Sequence, residues 1–297
     1  MDVIFELKDL YHTFRVPERR HDFVKRKVQD IKYILSILRE TDLRKIKVTP
    51  EKVSKYYDDY TEDYQKFYGD IFQAFTSDDI HCLLDYYAKK TGMRKGMRIL
   101  DAGCGVAGPA CYFAQTKGVF VEGLTISQVQ VTKSKEKIQE NSLEGKVNVV
   151  KGDYHFLNEI YQENQFDCIL FLESLFHSEN PDKVLRSAFK VLKPGGVLYA
   201  KDFYAIAQSS NKRKRQAKIE IYNIKKIYNY TVYNRNEIAN FAKEIGFAIQ
   251  PITPLPFDFR RPYNAIKFQE EHNIKLHSGG TVMGVESLEL FARKPIS

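Results

Sequence analysis

The spacing of apolar residues changes along this chain of 297 residues, and the change predicts two kinds of secondary structure. Between residues 20 and 40 the apolar positions recur at intervals of three and four; they are Val24, Val28, Ile31, Leu35 and Leu38. That period puts them on one stripe of an amphipathic helix, which must pack against another element. Residues 53–75 are rich in tyrosine and phenylalanine, and a further helix is predicted to start at Ser77 and end at Gly92.

From residue 98 onward, short apolar runs alternate with helical patterns. The runs begin at Arg98, Val119, Val147, Phe166 and Gly196. This alternation is typical of βαβ units, in which a parallel sheet is covered by helices on both faces. A crossover helix is predicted over residues 182–192, followed by a turn over residues 193–196, K-P-G-G.

The last third of the chain departs from this simple alternation. A basic run at residues 211–215, N-K-R-K-R, leads into a helical pattern. Asn234 and Glu237 have the spacing of a capping box, which opens a helix that Gly246 would end. Residues 247–252 and 285–292 then have the pattern of two closing strands.

Composition restricts the class of protein without choosing a partner. A hydrophobic content of 43% and a charged content of 28% predict a folded chain. The net charge of +8 favours an anionic partner, whether a phosphate ester, a nucleic acid or an acidic membrane surface. The four cysteines lack the paired spacing of a zinc site or a disulfide framework, which fits a reducing cytosol. No signal peptide or membrane span is expected, so we predict a cytoplasmic protein.

A glycine-rich loop after the first predicted strand carries the first candidate chemistry. Residues 101–108, D-A-G-C-G-V-A-G, contain G-x-G-x-x-G, and Glu122 lies where dinucleotide-binding folds place a ribose-binding acid. However, the carboxylate of Asp101 would repel a pyrophosphate at the start of the next helix and suits a ligand with an ammonium group. A nicotinamide cofactor and a glycine turn without a ligand remain alternatives.

Residues 99–105, I-L-D-A-G-C-G, resemble the hydrophobic-hydrophobic-D-x-G-x-G motif of the class I S-adenosylmethionine (SAM)-dependent methyltransferases. The resemblance implies an α/β fold with a Rossmann-like seven-stranded methyltransferase sheet, and SAM as the cofactor. It further implies that Asp101, Gly103 and Gly105 bind SAM. We expect residues 1–92 to form an N-terminal helical cover and residues 93–297 the methyltransferase domain, with a helical insert at residues 203–232 before the last two strands.

The segment after the second predicted strand narrows the resemblance. Residues 124–130, L-T-I-S-Q-V-Q, are similar to the L-T-x-S-x-x-Q segment of sterol C-methyltransferases, cyclopropane-mycolate synthases and prenyl diphosphate C-methyltransferases. In those families the threonine and the last glutamine bind the cofactor, which implies this role for Thr125 and Gln130. Ser127 and Gln130 also have the spacing of a helix capping box, and both roles can coexist.

Three further cofactor candidates follow from the same resemblance. Asp153, after the third predicted strand, occupies the position that faces the adenine amino group, with Tyr154 as a ring neighbour; the alternative is a solvated strand end. In the related families the segment before the glycine loop folds over the cofactor. That implies Tyr57 as a cofactor contact and Tyr68 as part of the substrate wall.

The candidate base follows the fourth predicted strand. Residues 171–177, F-L-E-S-L-F-H, stand where an amino-methylating enzyme would carry an N/D-P-P-Y sequence. Apolar surroundings disfavour the charged form of Glu173, which makes it a proton acceptor candidate. In the alkene C-methyltransferases a glutamate here is associated with proton removal after methyl transfer. His177 is a candidate orienting partner; the alternatives are a helix-start acid and a structural histidine.

The expected reaction is SAM-dependent C-methylation of an isoprenoid alkene, with a prenyl diphosphate as the first candidate substrate. Aromatic side chains would stabilise the carbocation by roughly 0.5–2 kcal/mol each. Arg260 and Arg261 are candidates for the diphosphate, with Mg²⁺ as an additional ligand if the substrate is a diphosphate. Alternatives are a sterol C-methyltransferase, an N- or O-methyltransferase, an RNA-binding protein and a nicotinamide oxidoreductase. We expect a small-molecule partner and no nucleic acid; the sequence leaves the metal and a homo-oligomer open.

Overall fold

The chain divides into two compact units, Met1–Asp42 and Leu43–Ser297. A computed structural model describes residues 42–73, 79–257, 263–274, 276 and 284–296, nearly all of them in the second unit. The predicted helix of residues 20–40 and the predicted cap Ser77 lie outside the described residues. All elements below belong to the second unit.

One mixed sheet organises this unit. Its strands are β1 (Arg98–Ala102), β2 (Phe120–Thr125), β3 (Val147–Lys151), β4 (Phe166–Leu172), β5 (Leu192–Ala205), β6 (Ala248–Ile249), β7 (Thr253–Pro254) and β8 (Val285–Arg293). They lie in the order β3-β2-β1-β4-β5-β8-β6, with β7 also paired to β8. Strands β1 to β5 are parallel, and β8 runs antiparallel to β5.

The eight strands occupy seven positions in the sheet. Strands β6 and β7 have two residues each, and both pair with β8, on the side away from β5. The predicted Rossmann-like α/β fold is therefore confirmed, and the difference is a seventh strand in two short pieces.

Nine α-helices of the described residues surround the sheet. They are α1 (Pro50–Tyr68), α2 (Ile80–Thr91), α3 (Gly108–Lys117), α4 (Gln128–Glu140), α5 (Leu157–Ile160), α6 (Pro181–Val191), α7 (Asn211–Tyr228), α8 (Arg235–Ile245) and α9 (Tyr263–Glu271). Helices α1 and α2, from the predicted N-terminal cover, lie in the same compact unit as the sheet. The boundary after residue 92 stays a prediction. None of these helices is both long and apolar enough to span a bilayer.

Local sequence signals explain several helix ends. The side chain of Asn234 accepts a hydrogen bond from the Asn236 N–H at the start of α8, and Gly246 ends this helix in the left-handed region, as predicted. Gly92 ends α2 in the same way. The start of α2 differs from the prediction, because the carboxylate of Asp79 caps it by accepting the N–H groups of His81 and Cys82. An acid next to free helix N–H groups is stabilised by hydrogen bonds and by the helix dipole.

The predicted turn at residues 193–196 is wrong. Strand β5 begins at Leu192 and runs through this segment, with a register shift against β4 between Phe166 and Cys168. Gly195 has a φ of 77°, which only glycine adopts without strain. The K-P-G-G sequence thus produces an irregularity within a strand instead of a turn before it.

The core is split by the sheet into two apolar clusters. Consecutive residues of a strand point to opposite faces, so Ile169 lies in one cluster and Leu170 in the other, both without exposed surface. Helices cover both clusters, which explains the nearly continuous apolar sequence of β4. The polar side chains of the candidate site therefore lie at the carboxyl ends of β1 to β4.

Candidate active site

A cleft of about 840 Å³, including the space at its mouth, opens at the carboxyl ends of β1 to β4. All eight predicted cofactor-binding residues line it, and so do both predicted catalytic residues, Glu173 and His177. Parallel α/β sheets bind ligands at this edge, because the strand-to-helix loops meet there. The fold thus brings together residues that are more than 100 positions apart in the sequence.

Asp101, the fourth residue of β1, is a buried carboxylate in this cleft. It is 1% exposed, and its Oδ2 atom has no hydrogen-bond partner among the described residues. Burial raises the pKa of Asp101 to about 7. A buried polar atom without a partner costs free energy in the folded protein, so this oxygen indicates a place where a ligand donates a hydrogen bond.

The glycine loop is held between β2 and the segment that follows β4. The N–H groups of Gly103 and Cys104 both donate to the Leu124 carbonyl, at 2.7 and 3.1 Å. Gly103 has a φ of 89°, and a Cβ atom here would collide with the side chain of Ser174. Ser174 is itself fixed, because its Oγ donates to the Ala102 carbonyl at 2.5 Å. Glycine at position 103 is therefore required by both conformation and space.

The structure shows the Ser127 cap of the L-T-x-S-x-x-Q segment, while the cofactor role of Thr125 and Gln130 stays a prediction. Ser127 caps α4 by accepting the Gln130 N–H at 3.1 Å. The Gln130 side chain turns away from the cap, and its Oε1 accepts the Thr125 hydroxyl at 2.5 Å. Thr125 and Gln130 thus form a pair of polar side chains that lines the cleft.

Asp153 lines the cleft but is already engaged by its neighbour. Its Oδ1 atom accepts the His155 N–H at 2.9 Å and bonds the His155 Nδ1 at 2.5 Å. Burial opposes the ionised form, but the hydrogen bonds from His155 outweigh it, so the pKa of Asp153 lies below its ordinary value. Tyr154 donates its hydroxyl to the Ser174 carbonyl at 3.0 Å, which leaves its ring as the surface that it offers to the cleft.

Helix α1 forms a wall of the cleft through Tyr57. The Tyr57 hydroxyl lies 2.8 Å from His177 Nε2, and His177 Nδ1 lies 2.9 Å from the Asn229 carbonyl. Burial lowers the pKa of His177 to about 4, so the ring is neutral near pH 7 and donates through Nδ1 to that carbonyl. Nε2 must then accept from Tyr57. His177 orients the Tyr57 hydroxyl; its predicted role toward Glu173 stays a prediction.

Of the three predicted substrate contacts, only Tyr68 belongs to the described residues. Tyr68 is not among the described lining residues, and its ring packs against Tyr64 and Phe268. Arg260 and Arg261 lie outside the described residues. Their roles stay predictions.

Glu173 follows β4 in an unusual backbone conformation and in a charged pair. Its φ is 59°, which is uncommon for a residue other than glycine. Its N–H donates to the Lys201 carbonyl at 2.7 Å, and its carboxylate forms an ion pair with the Lys201 ammonium. Burial lowers the pKa of Lys201, and the Glu173 carboxylate opposes that shift. The predicted acid therefore has a fixed cationic partner within the protein.

Two residues at the site, Gln73 and Lys201, were not predicted from the sequence. Gln73 lines the cleft, and its Oε1 accepts the Tyr87 hydroxyl at 2.9 Å and the Lys201 ammonium at 3.2 Å. A signal for Lys201 was present, because Lys201 and Asp202 interrupt an apolar strand with two charges, and both are fully buried. No such signal distinguished Gln73 from its aromatic neighbours.

A glycine loop, a buried carboxylate and a threonine–glutamine pair at the carboxyl edge of a parallel sheet define a Rossmann-like cofactor-binding protein. A family model described as a methyltransferase domain matches residues 93–246, which is more than half of the chain. The chain belongs to this family. The resemblance to the class I SAM-dependent methyltransferases is thereby confirmed.

The chain is also similar to curated and structurally determined proteins. It is 32% identical over 169 residues to the sterol 24-C-methyltransferase of Saccharomyces cerevisiae, which covers 53% of this chain and 43% of that protein. The chain thus spans less than half the length of the curated relatives that it matches first.

Two solved structures show the same fold at low identity. The [4+2]-cyclase SpnF has a TM-score of 0.69 at 21% identity, covering 84% of this chain and 98% of that one. Geranyl diphosphate C-methyltransferase from Streptomyces coelicolor, in complex with Mg²⁺, geranyl diphosphate and S-adenosyl-L-homocysteine, has a TM-score of 0.63 at 13% identity, covering 82% and 97%. These likenesses concern the fold alone.

We expect Asp101→Asn to weaken binding of S-adenosylhomocysteine roughly 10- to 100-fold, because it removes a charge-assisted hydrogen bond but keeps the shape of the side chain. In the wild type the affinity should rise as pH increases through about 7, since the ligand ammonium favours the ionised carboxylate. In the variant this rise should be absent. Calorimetric titration at several pH values measures both effects, and an unchanged affinity with an unchanged pH dependence would contradict the assignment.

We expect Gly103→Ala to lose binding of S-adenosylhomocysteine and to lower the free energy of unfolding, because Cβ collides with Ser174 in addition to the backbone cost of about 1–2 kcal/mol. Gly96 is a matched control, since its φ of 86° is similar and nothing lies within 4 Å of its Cβ position. Gly96→Ala should pay the backbone cost and still bind the ligand. Urea denaturation and calorimetry compare the two, and equal binding by both variants would refute the steric argument.

Proposed function

We propose that this chain is a SAM-dependent C-methyltransferase that adds a methyl group to an alkene carbon of an isoprenoid. The observation that carries the proposal is the Glu173 carboxylate, which is held by Lys201 in the same cleft as the glycine loop. C-methylation of an alkene requires a base that removes a proton from the substrate after the new bond has formed. The sterol 24-C-methyltransferase relative supports this class of reaction.

The lining residues fit SAM. The Oδ2 atom of Asp101, which lacks a partner among the described residues, would accept a hydrogen bond from the methionine ammonium. Gly103 and Gly105, at φ values of 89° and 55°, would let the ligand approach the backbone closely. Thr125 and Gln130 would bind the ribose hydroxyls, and Tyr154 would pack beside the adenine ring. When bound, SAM supplies an electrophilic methyl group.

The chain's own residues would bind, orient and protect the reacting groups. Because the Tyr57 proton is committed to His177, the phenol oxygen and ring of Tyr57 present electron density to the cleft. Burial raises the pKa of Tyr57, so this phenol stays neutral. An electron-rich wall stabilises positive charge that develops on an alkene carbon after methyl addition. Helix α1, which forms this wall of the cleft, would also keep water from the cation.

Glu173 would complete the reaction by accepting the proton that the substrate cation loses. Its carboxylate forms an ion pair with Lys201 and lines the cleft, where it can act as a base toward a bound substrate. The backbone of Glu173 lies in the left-handed region, and such strained residues often occur at functional sites.

The charges in the cleft favour a substrate without a diphosphate. The described lining residues include four carboxylates, on Asp70, Asp101, Asp153 and Glu173, but no lysine or arginine. Asp70 and Glu173 are ion-paired with Lys137 and Lys201, so their charges are compensated. Because no lysine or arginine lines the described cleft, a diphosphate would find no cationic side chain there. We therefore place an uncharged isoprenoid such as a sterol first and a prenyl diphosphate second; the latter depends on Arg260 and Arg261. Among the described residues no cluster of acids, histidines or cysteines could hold a metal.

We expect Glu173→Gln to lower kcat by about 10²- to 10⁴-fold while the affinity for S-adenosylhomocysteine stays within a few-fold of wild type, because the amide cannot accept the proton. Glu179→Gln is a matched control, since Glu179 also pairs with a lysine, Lys225, but does not line the cleft. Its kcat should be that of the wild type. A Glu173→Gln variant that turns over at the wild-type rate would exclude the proton-acceptor role.

We expect methyl-labelled SAM to label an unsaturated sterol in preference to prenyl diphosphates, because the described cleft lining offers a diphosphate no lysine or arginine. Incubation with a panel of sterols, prenyl diphosphates with and without Mg²⁺, amines and RNA, followed by extraction and mass spectrometry, tests this. If the wild type labels a prenyl diphosphate, and the Arg260→Ala and Arg261→Ala variants label it less, the second candidate is established instead. Label on nitrogen or oxygen alone would reject C-methylation.

A further inference from the structure

Lys201 lies in β5 between Leu172 of β4 and Glu289 of β8, and its side chain has no exposed surface. An ammonium group so deeply buried is costly unless fixed acceptors replace water. Two such acceptors are Glu173, through the ion pair, and the amide oxygen of Gln73, at 3.2 Å. Both line the cleft, whereas Lys201 is not among the described lining residues.

The contacts of Gln73 determine which way its amide faces. A lysine ammonium can only donate, so the amide atom within its reach must be the oxygen. The Tyr87 hydroxyl bonds the same Oε1 atom at 2.9 Å. The Nε2 atom therefore points away from both, and it has no partner among the described residues although Gln73 is only 2% exposed. Lys201 thus fixes an amide whose donor side is left for a ligand.

The groups that face Glu173 come from several elements. Besides Lys201 they are Asp202 of β5, Tyr57 of α1, Tyr87 of α2 and Tyr230, which follows α7. Burial raises the pKa of Asp202 well above its ordinary value, and the pKa values of the three tyrosines are also raised. Lys201 is therefore the group in this set that supplies positive charge beside Glu173.

We propose that Lys201 is a positioning residue: it holds the Glu173 carboxylate ionised and directs Glu173 and the Gln73 amide into the cleft from behind. The consequence for catalysis rests on the proposed function, in which Glu173 accepts the proton. The effect of Lys201 on the ionisation of Glu173 is a property of the protein alone, so it can be measured without a substrate.

The test follows the titration of Glu173 by carbon-13 NMR in protein labelled at the glutamate carboxyl carbons. The Glu173 resonance is the one that disappears in Glu173→Gln. In Lys201→Met its midpoint should lie about one to three pH units above that of the wild type, because the buried carboxylate has lost its cation. The acidic limb of the kcat–pH profile should move to higher pH in the same variant. A merely structural lysine would lower kcat equally at every pH.

Lys201→Arg keeps the positive charge and provides the second variant if Lys201→Met does not fold, as judged by circular dichroism. Its Glu173 midpoint should stay near that of the wild type. An unshifted midpoint in Lys201→Met, or a midpoint in Lys201→Arg well above that of the wild type, would overturn the proposal. Failure of the proposed function is distinguishable, since it appears as normal turnover by Glu173→Gln, or as no alkene methylation by the wild type, whatever the NMR midpoints are.

Discussion

A parallel sheet that is covered by helices on both faces has room for polar side chains at the ends of its strands. This constraint determines where the candidate functional residues of the protein lie. Strands β1 to β4 bury most of their side chains, as the alternation of Ile169 and Leu170 between two apolar clusters illustrates. The loops that leave their carboxyl ends are free to carry other residues. Asp101, Thr125, Asp153 and Glu173 each occur at or just after such a strand end, which is why they converge on one cleft.

Buried ionisable side chains lie in and beside the cleft, and the surrounding protein must compensate for their loss of contact with water. Asp101 has a carboxylate oxygen without a partner among the described residues, and Lys201 and Asp202 place two ionisable groups inside the sheet. Such groups destabilise a fold unless they are paired, and only some of these are. Lys201 is satisfied by Glu173 and Gln73, whereas Asp101 keeps an oxygen for a ligand. Lys201 therefore helps to form the site, whereas Asp101 is available to bind a ligand within it.

The comparisons place the chain in the methyltransferase-domain family, but the fold by itself does not choose the reaction. The same architecture is found in a [4+2]-cyclase and in a geranyl diphosphate C-methyltransferase. The proposal of alkene C-methylation therefore rests on particular side chains, above all on Glu173 and its lysine. The preference for an uncharged substrate likewise rests on the lack of lysine and arginine among the described lining residues.

Sequence patterns alone were sufficient to predict the presence of β1 to β5, several helix ends and the glycine loop, because each of these depends on a short continuous segment. The alternating apolar runs predicted β1 to β5, and the motif around Asp101 predicted the loop. What local patterns could not contain was contact across the chain. The pairing of Lys201 with Glu173, the orientation of Gln73 by Tyr87, and the hydrogen bond of His177 with Tyr57 join residues that are 14 to 120 positions apart. Only tertiary packing decides such contacts, since burial removes water and makes each polar group bind whichever partner the fold places beside it.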